Sequence, residues 1–415
     1  MKSLRRALLL ALLLATAQSL LWAQTADVRR QWVSTWSSAQ FAPWGQAVLP
    51  AEDLHDATLR ESVHLSLGGS TLRVRLSNVT GTAPLHLLGV HIARPVDFVA
   101  GSIDPVSDRA LTFSGAADVT IPAGADYLSD PVELAVAPLS MLTVSIRFDA
   151  PPSQQSYHSD ALSYVYMAHG DQLAAPVMAA PKRVEHWYQL AGIEVQAPEN
   201  AAVVIALGDS ITDGYGATVN GNARWTDVLA QRMQADPSTR NLALINEGIG
   251  GNHLLTDGIG PSALSRFDRD VLAQPGARFL VVFEGINDLG ALSREGDVPQ
   301  SRHDDLVHRM IASFEQIAAR AHAHGLKVIA ATIMPDIGSD YYHPAPVNEN
   351  DRVRVNQWIR SATCFDGLVD FDKAMSDPQN PGHILPAYDS GDHLHPSPAG
   401  YKVMGEAVPL TLFAR

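Results

Sequence analysis

Hydrophobic positions fall into two rhythms along the chain. Between residues 30 and about 197 they come as short runs with strand periodicity. Thr71-Leu72-Arg73-Val74-Arg75-Leu76 alternates polar and apolar, as a strand with one wet face does. Leu85 to Ala93 and Met141 to Phe148 are similar runs. Gly68-Gly69, Pro105, Pro122-Ala123-Gly124 and Pro151-Pro152 punctuate them. Short strands with frequent turn signals predict an all-β sandwich or jelly-roll. Trp32, Trp36 and Trp44 cluster near its start. Aromatics in a sandwich usually belong to the core, and a sugar-stacking platform is the alternative. Gln196 to Asn200, with a proline inside, reads as a linker.

Beyond the linker the rhythm changes. Short apolar runs at Val203–Leu207, Leu242–Ile245, Phe279–Phe283, Val328–Ala331 and Leu368–Phe371 alternate with longer amphipathic stretches. Trp225–Met233, Asp304–Ala323, Val347–Ser361 and Pro398–Leu412 read as helices. In the second of these, Leu306, Met310, Ile317 and Ala321 share one face. Strand–helix alternation of this kind predicts a parallel sheet covered on both faces. The expected division is therefore a leader at 1–23, a β-sandwich-like accessory domain at 24–197 and an α/β domain at 198–415.

In such a sheet, chemistry sits outside the carboxyl ends of the strands. Four polar motifs fall at strand ends or in the final loop. They are Gly208-Asp209-Ser210-Ile211-Thr212, Asn246-Glu247-Gly248-Ile249-Gly250-Gly251-Asn252, Gly285-Ile286-Asn287-Asp288 and Asp392-His393-Leu394-His395. No G-x-G-x-x-G, G-x-x-x-x-G-K-S/T or G-x-S-x-G is present, so nucleotide-binding loops and the usual nucleophile elbow are not indicated. The set, in this order, resembles the SGNH (GDSL) hydrolase superfamily over residues 200 to 415. That resemblance implies a flavodoxin-like three-layer α/β/α fold and a serine esterase or lipase. The longer stretch Asp389 to Pro396 is similar to two-domain secreted members with a β-rich region first, several of which act on acetylated plant polysaccharides.

The residues themselves support the same chemistry. A serine hydroxyl needs a base within hydrogen-bond reach, and the base needs an acceptor to fix its tautomer. Ser210 is the candidate nucleophile, His395 the base and Asp392 its orienter; two intervening residues let one loop supply both partners. A tetrahedral oxyanion needs preset donors at about 2.7–3.1 Å. The backbone N–H groups of Ser210 and Gly251 and the side-chain amide of Asn287 are the candidates, with Gly250 the rival to Gly251. In the family, the corresponding positions form the oxyanion hole. Asp209, Asp213, Glu284 and Asp288 surround these motifs, either to hold loops or to disfavour anionic substrates at the mouth. Asp209, Asp213 and Glu284 are the candidates for a supporting role. Asp392 with His393 and His395 also reads as a metal site, but no second ligand cluster accompanies it. The expectation is no metal and no organic cofactor.

Composition narrows the setting. Apolar residues make up 46% of the 415-residue chain, ample for a large core. A net charge of −14 without a Lys/Arg-rich run argues against nucleic acid as a partner. Cys364 is the only cysteine, so no disulfide forms within the chain. Lys2, Arg5 and Arg6 followed by the Leu/Ala run Ala7–Ala15 read as a secretory signal peptide, with cleavage after Ala23. The mature protein is then expected to be secreted or periplasmic, without a membrane span. The sequence reading as a whole is an esterase acting on short-chain esters, acetyl foremost, of a small molecule or glycan. A lipase, thioesterase or acyltransferase on the same machinery is the alternative, and a non-catalytic carbohydrate-binding protein is the alternative from another class.

Overall fold

In the computed structural model, which describes residues 30–97 and 101–414, the first rhythm closes into two packed antiparallel sheets. The expected signal segment lies outside the described residues. The main strands are β1 (Arg30–Ser37), β2 (Ala57–His64), β3 (Gly69–Ser77), β4 (Leu85–Ala93), β5 (Val132–Val136), β6 (Met141–Phe148), β7 (Val165–His169) and β8 (Leu190–Pro198). One sheet runs β1-β8-β3-β5 and the other is built on β7-β2-β6-β4. Alternation decides which side chains point inward. Leu72, Val74 and Leu76 of β3 are fully buried, whereas Arg73 and Arg75 are not.

Part of the expected linker is strand. Gln196, Ala197 and Pro198 pair with Trp32, Gln31 and Arg30, because β8 continues along the whole of β1. The connection shrinks to Glu199–Ala201, and the Gln31 amide clamps it by donating to the carbonyls of Glu199 and Ala201 at 3.0 and 2.7 Å.

The second rhythm gives β9 (Ala202–Gly208), β10 (Leu242–Gly248), β11 (Ala277–Phe283), β12 (Lys327–Ala331) and β13 (Gly367–Val369), all parallel, in the order β10-β9-β11-β12-β13. This is a flavodoxin-like sheet, with helices on both faces. The helices are α1 (Ser210–Asp213), α2 (Trp225–Ala235), α3 (Ala263–Phe267), α4 (Ile286–Ser293), α5 (Gln300–Ala323), α6 (Pro346–Ser361), α7 (Phe371–Met375) and α8 (Pro398–Ala407). On one face α8 packs on α2 and α7; on the other α6 packs on α4 and α5. The apolar stripe of α5 is buried, as its spacing requires. Two boundaries differ from the sequence pattern for local reasons. Asp370 caps a new helix by accepting from the Lys373 N–H, so the last strand stops at Val369. Pro409 ends the final helix early, and Leu410–Phe413 form a single 3₁₀ turn.

The two domains share one continuous apolar core. Polar contacts also cross between them. Ser37 Oγ donates to Glu247 Oε1 at 2.5 Å, Ser34 Oγ to Gln274 Oε1 at 3.0 Å, and the Leu244 N–H to Ser66 Oγ at 3.0 Å. No helix among the described residues is long and apolar enough to cross a membrane.

Candidate active site

Register brings the motifs together. Gly208 at the end of β9 lies beside Gly248 of β10 on one side and Phe283 of β11 on the other. The loops that leave these three ends carry Ser210, Gly250-Gly251 and Asn287. This is the point where strand order reverses, the usual crevice of a doubly wound sheet. The turn into α1 depends on Gly208: a Cβ there would sit 2.1 Å from Thr212 Oγ1 and 2.8 Å from the Phe283 carbonyl. Asp209 caps α1 by accepting from the Ile211 N–H at 2.9 Å, which presents Ser210 at the helix start.

Ser210 Oγ lies 2.9 Å from His395 Nε2, and His395 Nδ1 lies 2.6 Å from Asp392 Oδ2. Asp392 Oδ1 also accepts from the N–H groups of Leu394 and His395 and from Ser390 Oγ, at 2.8–3.0 Å. Burial alone would raise the Asp392 pKa, but the bonds from His395 outweigh it and hold this carboxyl well below the usual range. The Tyr215 ring lies 4.3 Å from that of His395. His393 is half exposed, has a left-handed backbone and bonds to Asp389, on the rim of the same loop.

The two glycines differ in their hydrogen bonds. The Gly250 N–H is taken by Asp213 Oδ2 at 3.0 Å. The N–H groups of Gly251 and Ser210 have no partner among the described residues. Gly251 has φ +71°, a conformation glycine adopts without strain. Asn287 Nδ2 donates to the Asn252 carbonyl at 2.6 Å, and its Oδ1 accepts from Tyr342 OH at 2.6 Å. One amide proton is left over, on a residue that lines the pocket.

All four flanking carboxyls are buried, and three of them, Asp209, Asp213 and Asp288, accept from loop N–H groups. Asp288 accepts from the N–H groups of Leu254 and Leu255 at 2.8 and 3.0 Å. Burial pushes Asp209 up to about 7, against its bond from Ile211. Burial and the nearby Asp209 raise Glu284 well above the ordinary value, against the pull of Arg266 at 3.5 Å. Arg266 is fully buried and ties the ends of β9 and β10 to the loop that follows β10. It donates to the carbonyls of Gly208 and Glu247 at 3.0 and 2.6 Å and to Asn252 Oδ1 at 2.9 Å.

Residues 206–403 match the GDSL-like lipase/acylhydrolase family. The chain carries a GDSL-like hydrolase domain. Solved structures similar to it include a lipase/acylhydrolase from Enterococcus faecalis, with 25% identity over 50% of this chain and 92% of that one and a TM-score of 0.37. A catalytic mutant of an acetylxylan esterase from Geobacillus stearothermophilus has 21% identity over 51% and 93%, with a TM-score of 0.39. A GDSL-like lipase from Bacteroides thetaiotaomicron has 21% identity over 51% and 87%, with a TM-score of 0.37. No curated protein is similar enough to match the chain.

The GDSL-like domain does not wall its pocket alone. A cavity of about 500 Å³ opens over Ser210, and Trp44, Tyr157, Ser159 and Asp160 of the β domain line it. Of the tryptophan cluster, Trp36 is core, edge-on to Trp187, while Trp44 is half exposed at the pocket. Sequence reasoning missed Arg266, Tyr342 and the β-domain wall. A lone arginine in the apolar window Ala263–Phe267 was the available sign for Arg266. Nothing local marks the others, whose partners lie far away in the chain. Among the described residues no group of three or more His, Cys, Asp or Glu side chains is arranged to hold a metal.

Proposed function

We propose that the protein is an exported serine esterase that removes short acyl groups, acetyl foremost, from a carbohydrate. The observation that carries the reading is the line Ser210–His395–Asp392, opening beside two unengaged backbone N–H groups. Ser210 Oγ attacks the ester carbon while His395 Nε2 takes its proton. His395 then returns that proton to the departing alcohol, leaving an acyl-Ser210 ester. Water, deprotonated by the same nitrogen, releases the acid and restores Ser210. Asp392 holds the Nδ1 proton and stabilises the imidazolium that forms. The N–H groups of Ser210 and Gly251 and the free amide proton of Asn287 receive the oxyanion.

Support for a sugar comes from the mouth. Trp44, Tyr215 and Tyr341 are each about half exposed there, offering flat apolar faces. Asp160 and Asp340 beside them offer acceptors for hydroxyls. The basic start and short apolar core of residues 2–23 support export.

The test is covalent labelling by a fluorophosphonate, followed by a panel of aryl esters of rising acyl length and then acetylated glycans. Label on Ser210 that disappears in Ser210→Ala, with acetyl esters cleaved fastest, is the expected result. Asp392→Asn should keep the fold and lower kcat by up to about 10⁴-fold. No labelling of the wild type overturns the esterase reading, and rates that climb steadily to long acyl chains point to a lipase instead.

A further inference from the structure

Two consecutive glycines have almost no intrinsic conformational preference, so something outside Gly250-Gly251 must aim their N–H groups. The restraint comes from the other domain. His158, in the β domain, reaches across to Asp213, with Nε2 and Oδ1 2.8 Å apart; both side chains are buried. The second oxygen of Asp213 accepts the Gly250 N–H at 3.0 Å. The chain His158–Asp213–Gly250 is thus an unbroken strut ending one residue before Gly251.

The strut is rigid at its far end. His158 Nδ1 lies 2.9 Å from the Ala39 carbonyl, and the ring stacks on Trp187 with centroids 5.6 Å apart. Both ring nitrogens therefore face oxygen atoms, an arrangement that favours the doubly protonated, charged ring. Burial opposes that charge, but the Asp213 charge and bond outweigh it and raise the His158 pKa. The other charged groups facing the pair are Asp160, on the same loop, and Arg224. Arg224 fastens that loop to α1, donating to the carbonyls of Asp213, Asp160 and Ala161 at 2.5, 3.0 and 2.9 Å. Gly250 itself sits against the β domain, since a Cβ there would lie 2.9 Å from Asp160 Oδ2.

We propose that His158 is a positioning residue for the oxyanion-binding loop: through Asp213 it fixes the Gly250 amide and so aims the Gly251 N–H at the developing oxyanion. The proposal rests on the esterase reading above. It makes the β domain part of the catalytic machinery, not an appended module. Donors aimed at the oxyanion act on the transition state, so losing their alignment lowers kcat and leaves KM nearly unchanged.

The experiment uses the full chain and counts active sites by fluorophosphonate titration, so that misfolded molecules drop out. His158→Ala should lower kcat per labelled site by about tenfold to 10²-fold, the cost of a misplaced catalytic group, with KM nearly constant. His158→Gln, which restores an N–H towards Asp213, should recover part of the loss. His158→Ala combined with Asp213→Ala should be no slower than Asp213→Ala alone, because both break one strut. Ser34→Ala removes a different interdomain bond and should lower the melting temperature without touching kcat. Wild-type kcat per labelled site in His158→Ala, or losses that multiply in the double variant, overturns the proposal. A wild type that takes no label overturns the esterase reading instead, which keeps the two failures apart.

Discussion

Asn287 can offer only one N–H to a bound ester, because its other amide proton is committed to Asn252 and its oxygen to Tyr342. That commitment orients the amide, which would otherwise rotate or flip. Asn287→Ala should cost about 10²–10³-fold in kcat with little change in KM, the usual loss for one oxyanion donor. Tyr342→Phe keeps the donor but frees its orientation. A lost hydrogen bond of about 1 kcal/mol corresponds to roughly a fivefold fall in kcat. Steady-state kinetics on an aryl acetate checks both; a Tyr342→Phe loss as large as that of Asn287→Ala would mean the hydroxyl itself touches the substrate. Ser210, Asp392, His395, Gly251 and Asn287, the residues of the proposed site, stand out in the sequence because each sits in a short motif at a strand end or in the final loop. Tyr342 could not, because its partner lies far back in the chain and tyrosine is too common to mark a site.

The strands of the parallel sheet were legible as elements, since an apolar run bounded by turn residues has few other readings. The short helices α3 and α4 were not. They are only five and eight residues long, and Arg266, Asn287 and Asp288 are among their buried side chains, so they lack the long amphipathic stripe that announces α5. Glu247 shows the same blindness at the end of β10. It reads as a polar strand-end residue, yet it is buried at the domain interface against Ser37 and Gln274. Burial, reinforced by Asp270, pushes its pKa up to about 8. The folded state therefore holds this proton while the unfolded chain, with a glutamate near 4.3, has lost it. Folding is favoured below the unfolded pKa, and that contribution is lost as pH rises towards 8. In calorimetry of the full chain, Glu247→Gln should show a smaller drop in melting temperature between pH 5 and pH 8 than wild type. An unchanged drop would assign the pH dependence to other groups.

At the scale of the whole molecule, the β-rich and α/β parts share a core and a pocket. An excised chain of residues 199–415 exposes the apolar surface that packs on β1 and leaves Glu247 without Ser37. It also loses Trp44, Tyr157 and Asp160 from the pocket wall. Where it folds, as judged by circular dichroism, its activity on an aryl acetate should fall at least about tenfold below that of the full chain. Full activity in the excised domain would return the β domain to the role of an appendage.

Strand β8 lies between β1 and β3, and it is the last part of the β domain to be synthesised. Until residue 198 leaves the ribosome, β1 and β3 both present open edges, ready to pair with any passing strand. Closing the gap joins the two ends of the whole domain, a contact of very high sequence separation that forms slowly. The strand that seals the sandwich precedes β9 by only Glu199–Ala201, so every strand of the pocket's β wall has been made before the segment bearing Ser210 follows it.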